Sequence, residues 1–117
     1  MTGMKHVDDS RLIYVVLHLH SPREKYWGVL RRNSAVGVWL SGADLSTVQG
    51  WMEHGLPPPD QGAILSTSFF PMHRVEKITL DETHGNLLSV NDILKQMTGG
   101  ALEALFPGGV FIPHEIQ

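Results

Sequence analysis

From Leu12 to His20 runs a β-rich segment whose side chains fall alternately on two faces. Ile13, Val15, Leu17 and Leu19 fall on one face, and Tyr14, Val16, His18 and His20 on the other. That pattern predicts a half-buried strand. Ser21-Pro22-Arg23 predicts a turn, because proline has no amide proton for a ladder and presets φ for a turn position. A second strand is expected from Lys25 to Arg31, where Gly28 marks a bend or a close backbone approach. Asn33-Ser34 turns the chain into a third strand, Val36 to Gly42, with Val36, Val38 and Leu40 on one side and Trp39 on the other. Ile64 to Phe70, stopped by Pro71, reads as a fourth strand and Glu76 to Leu80 as a fifth, joined tightly through Met72 to Val75. One core is expected from Val15, Leu17, Val29, Val36, Val38, Leu40, Phe69, Val75 and Ile78.

Two segments switch to helical spacing. Ser46-Thr47-Val48-Gln49 has the form of a capping box, after which Val48, Trp51 and Met52 share a face. Gly55 and Pro57-Pro58-Pro59 end that helix. Ser89 predicts the cap of a second helix carrying Val90, Ile93, Leu94 and Met97, with Asp92 in the first turn and Gly99-Gly100 at the end. The expected organisation is a loose arm over 1–11, a small β-barrel over 12–82 with a helix-bearing insertion at 45–63, and a C-terminal helix with an apolar tail over 83–117. The tail would pack on the barrel or on a neighbour. No internal repeat is visible.

Tyr26-Trp27-Gly28-Val29-Leu30 is similar to the glycine-plus-leucine second strand of Sm-like proteins, and the run from Phe69 to Ile78 is similar to their fourth-to-fifth strand junction. The sequence thus resembles the Sm-like and SH3-like small barrels, in outline from Leu12 to Leu80. The resemblance implies a mainly β, five-stranded, strongly bent barrel, here with a short inserted helix and a C-terminal helix. It further implies ring-forming homo-oligomers in which the fourth strand of one subunit pairs with the fifth of the next, placing Ser66, Ser68, Phe70, Glu76 and Ile78 at the interface. RNA is the ligand it implies, with His73 and Arg74 in the tight junction as contacts.

Charge narrows this picture. Nine Lys and Arg against 12 Asp and Glu leave a net charge of −3, so the chain as a whole is no basic coat for nucleic acid and any such contact must be a local patch. Arg23, Lys25, Arg31 and Arg32 interleave with Tyr26, Trp27 and Trp39, which is what neutralising phosphates and stacking bases require. The same residues equally suit cross-strand packing, and Arg74 equally suits a pair with Glu76 or Asp81. His18 and His20, with His73 or Glu24, could be drawn as zinc ligands, but a His-x-His pair at a strand end is more often a surface pair, so no metal and no cofactor are expected.

The chain contains no cysteine, which removes disulfides and thiolate chemistry and suits a cytoplasmic setting. The run from Leu12 to Leu19 is far shorter than the roughly 20 residues a membrane span needs. No phosphate-cradling loop, nucleophile elbow or zinc-protease helix occurs. Asp81, Glu82 and His84 lie in a turn that offers little burial to tune an acid or base, so an enzyme is not expected. Two functions remain: a homo-oligomeric Sm-like barrel with RNA as ligand, or a structural or protein-interaction barrel without nucleic acid.

Overall fold

A computed structural model describes residues 12–58 and 65–106. The expected arm at 1–11, Ile64 at the start of the expected fourth strand and the tail segment Val110-Phe111-Ile112 lie outside the described residues. In chain order the elements are β1 (Tyr14–Leu19), β2 (Glu24–Asn33), β3 (Gly37–Asp44), α1 (Leu45–His54), β4 (Ser66–Pro71), β5 (Val75–Leu80) and α2 (Val90–Met97). A 3-10 turn, Met72–Arg74, joins β4 to β5, and a second, Leu102–Leu105, follows α2. The strands form one antiparallel sheet in the order β4-β3-β2-β1-β5. The sheet is open, with β4 and β5 as its two edges.

Strand pleating sends alternate residues to opposite faces, and this sheet buries both. One face gathers Val15, Leu17, Leu19 and Leu40, with Tyr26, Leu30, Phe70, Val75 and Ile78 packed around them. All five strands contribute to that cluster and no described helix does, so the sheet curls and this face is concave. The other face carries Tyr14, Trp27 and Val29 against Val48 of α1, Leu94 of α2, and Leu102 and Phe106 after it. Tyr14 and Trp27 stack here with ring centroids 5.7 Å apart.

The single expected core is therefore two. Val29 belongs to the convex cluster because it shares a face with Trp27. Val36 lies before β3 begins and is 72% exposed, and Phe69 is 39% exposed because it too points away from the concave side. β1 is buried on both faces at Tyr14 and Val15, not on one.

Curling needs close strand approach, and Gly28 supplies it opposite Gly42. A Cβ on Gly28 would stand 2.1 Å from the Ser41 carbonyl oxygen, and one on Gly42 would stand 1.8 Å from that of Trp27. Only glycine fits at either position.

The cap of α1 also departs from expectation. Asp44, not Ser46, is the N-cap: its carboxylate accepts the Ser46 backbone N–H at 2.8 Å and the Ser46 hydroxyl as well. β3 runs straight into the helix, so the last strand residue takes the cap. Gly55 closes α1 at φ 102°, its N–H donating to the Trp51 carbonyl. Ser89 caps α2 as its sequence implies, accepting the Asp92 N–H at 3.1 Å.

Candidate nucleic-acid interface and sheet edges

The residues singled out for nucleic-acid contact separate into those built into the fold and those presented to solvent. Trp27 belongs to the first group. It is wholly buried, and its indole N–H donates to the Asp81 carboxylate at 2.9 Å, so it is no stacking platform for a base. Arg74 is likewise engaged. Its Nε donates to the His20 carbonyl, and its Nη2 reaches the Pro22 carbonyl and the Glu24 carboxylate, both at 2.9 Å. It fastens the β4–β5 junction to the β1–β2 turn, with Glu24 as its acid rather than Glu76 or Asp81. Arg31 is half-buried, donates to the Ser41 hydroxyl at 2.7 Å and lies over the Phe106 ring.

Tyr26 tilts against Phe70 at 4.9 Å on the concave face. Together with Leu40, Ser66 and Ser68 they line a hollow of about 200 Å³. Burial pushes the Tyr26 phenol up from its ordinary value of 10.0, and the carboxylates of Glu24 and Asp44 add to the rise. The phenol stays protonated and available as a hydrogen-bond donor. Trp39 packs against Phe69 on the opposite face, at 5.1 Å.

Arg23, Lys25 and His73 are exposed. Arg23 approaches Glu76 only at 4.0 Å. Lys25 lies in register with His18, and His18 lies in register with Lys77 on its other side. Three neighbouring strands thus place Lys25, His18 and Lys77 in one row on the convex face, beyond the area the helices cover. Pleating sends their neighbour Glu24 to the other side, where it meets Arg74. Glu76 sits where the β1–β5 register shifts.

Burial, followed by the charges of Lys77 and Lys25, holds the His18 imidazole below its ordinary 6.5, against a weaker opposing pull from Glu76. Its Nε2 lies 2.9 Å from the Thr79 hydroxyl. Lys77 and Thr79 escape a reading of linear motifs because they meet His18 only through the β1–β5 pairing. The signal that could have found them is that pairing itself, since Lys77 and Thr79 alternate with apolar Ile78 and so share a face.

His18 and His20 do not converge. The His20 Nδ1 lies 3.2 Å from the Ser21 hydroxyl, outside β1, while His18 faces Thr79. Among the described residues no three His, Asp or Glu side chains are grouped to hold a metal ion.

The expected interface residues all lie on the two edge strands. Ser66 and Ser68 are exposed on β4, and Glu76 is exposed on β5. Phe70 and Ile78 turn inward to the concave cluster, so their backbone, not their side chains, would meet a neighbour. Each edge also presents a large apolar side chain, Phe69 on β4 and Leu80, 61% exposed, on β5. The described helix α2 packs on the convex face through Leu94.

Compared with family models, with curated proteins and with solved structures, the chain matches none. No helix among the described residues is long and apolar enough to cross a membrane.

Proposed function

We propose that this chain is a non-enzymatic, cytoplasmic binding module of the Sm-like or SH3-like small-barrel kind, which self-associates through its sheet edges and takes RNA as its ligand. The observation that carries the reading is the pair of sheet edges, β4 and β5, that no further strand pairs among the described residues. An edge strand presents unpaired N–H and C=O groups, and proteins commonly blunt such edges with lysine, proline or a covering element. β4 has the sequence Ser-Thr-Ser-Phe-Phe-Pro, with no charge and no proline before its last residue. β5 of a second copy is the matching occupant, since the two edges differ and a head-to-tail contact of unlike edges repeats into a ring when the rotation closes. Phe69 and Leu80 add exposed apolar surface beside the two edges.

Light scattering on the wild type and on Leu80→Lys tests the assembly. The expected result is a wild-type particle of a whole multiple of 13.0 kDa and a variant of 13.0 kDa with an unchanged far-UV spectrum. A monomeric wild type at high micromolar concentration refutes self-association and leaves the second reading, a protein-interaction barrel that offers the same edges to a different partner.

A further inference from the structure

The row on the convex face carries an inference that deepens the RNA part of that reading and rests on it for the ligand class, but not on self-association. We propose that Lys25, His18 and Lys77 form a track for the phosphate backbone of a single-stranded nucleic acid, with His18 as its proton-coupled member.

The placement supports a strand over a compact anion. Neighbouring strands lie about 4.8 Å apart, so three residues in register across β2, β1 and β5 form a line spanning about 10 Å on an open sheet. A cup for one phosphate would need its donors to converge, whereas these are spread along a line. No exposed aromatic side chain stands beside the row: Trp27, two residues from Lys25 along β2 on the same face, is wholly buried, Tyr26 faces the concave side, and Trp39 and Phe69 lie across the sheet on β3 and β4. The track therefore reads backbone charge and not bases.

The groups facing His18 fix how it responds. From β2 comes Lys25; from β5 come Lys77, Thr79 and, more weakly, Glu76. The Thr79 hydroxyl has the Val16 carbonyl within 3.4 Å as an acceptor for its own proton. With one ring nitrogen of His18 engaged by the Thr79 hydroxyl, the imidazole keeps a site at which to take up a proton. Without a ligand the two lysines oppose that proton. A phosphate between them cancels their field and favours the charged imidazole, so strand binding draws in a proton and strengthens as pH falls through the ordinary histidine range.

The test is an NMR pH titration of His18 in the full chain, alone and with three probes: inorganic phosphate, a short single-stranded RNA of mixed sequence, and polyglutamate of matched charge. The His18 midpoint is expected to rise by about one unit with RNA, and less with inorganic phosphate. RNA affinity should rise severalfold from pH 7.5 to 5.5 at constant salt. In Lys25→Gln and Lys77→Gln the affinity should fall severalfold and the salt dependence should lessen by about one counterion each. The His54→Gln variant, exposed at the end of α1, should leave the His18 response unchanged. A His18 midpoint unmoved by RNA overturns the proposal, as does equal binding of polyglutamate, which would mark a general acidic-protein surface. An unmoved midpoint in a particle that scatters as an oligomer removes the track and leaves the assembly standing; a shifted midpoint in a monomer does the reverse.

Discussion

Removing the Asp81 carboxylate should unfasten α2 from the sheet. This one side chain follows β5 and accepts four hydrogen bonds: the Trp27 indole N–H at 2.9 Å, the Val90 and Asn91 backbone N–H groups at 2.9 and 2.8 Å, and the Asn91 side-chain amide at 2.9 Å. The two backbone donors are first-turn amides of α2, which have no partner inside the helix. Asp81 therefore acts as a second cap beside Ser89, and its negative charge suits the helix N-terminus.

In Asp81→Ala the buried Trp27 N–H loses its acceptor, at a cost of about 1–3 kcal/mol. Loss of a capping acceptor adds about 1 kcal/mol. The expected destabilisation is therefore about 3 kcal/mol, read as a lower urea midpoint by tryptophan fluorescence. A cycle with Trp27→Phe, which keeps a ring but removes the N–H, isolates the largest part and should give a coupling of at least about 1 kcal/mol. An Asp81→Ala loss below about 1 kcal/mol, or no coupling in the cycle, would refute the reasoning.

Three further outcomes follow from packing and charge. Gly42→Ala should destabilise the fold by at least about 1–3 kcal/mol in the same melts, because its Cβ has no room against the Trp27 carbonyl. Leu17→Ala, wholly buried on the concave face, should cost about 2–5 kcal/mol, whereas Val36→Ala should stay within about 0.5 kcal/mol. The Asp44 and Asp92 carboxyls are held below their ordinary 3.8, chiefly by the Ser46 and Thr83 hydroxyls respectively. A depressed folded-state value contributes stability that is present above the unfolded value and lost as pH falls through the folded one. Acid melts below about pH 4 should accordingly show less pH dependence in the Asp44→Asn, Asp92→Asn double variant than in the wild type.

The strands were legible in the sequence because turn residues such as Ser21-Pro22 and Asn33-Ser34 bound short runs rich in strand-forming residues. Val15, Leu17 and Leu40 advertised the concave core, and Gly28 its bend. The convex core was not legible as such, because Tyr14, Trp27 and Val29 are covered by helices whose docking is a long-range event. Local chemistry located the Ser89 cap, but Asp44 displaced Ser46 because no loop separates β3 from α1. The candidate site was half legible. Lys25 and Arg23 stood out by their neighbours in the chain, while Lys77 joins them only through strand pairing. Trp27 and Arg74 have the side-chain chemistry of contacts, yet burial and a salt bridge assign them to the fold.

The central claim, that unlike edges of two copies pair, is tested most directly by mixing two blocked variants. Ser68→Lys places a charge on the β4 edge and leaves β5 open; Leu80→Lys does the reverse. Sedimentation velocity on each alone, then on the equimolar mixture, reads the outcome. Pairing of β4 with β5 predicts that each variant alone sediments as a 13.0 kDa monomer, and that the mixture forms a species of twice that mass through the one intact pair of edges. A mixture that stays monomeric while the wild type assembles, or single variants that assemble as the wild type does, would contradict it.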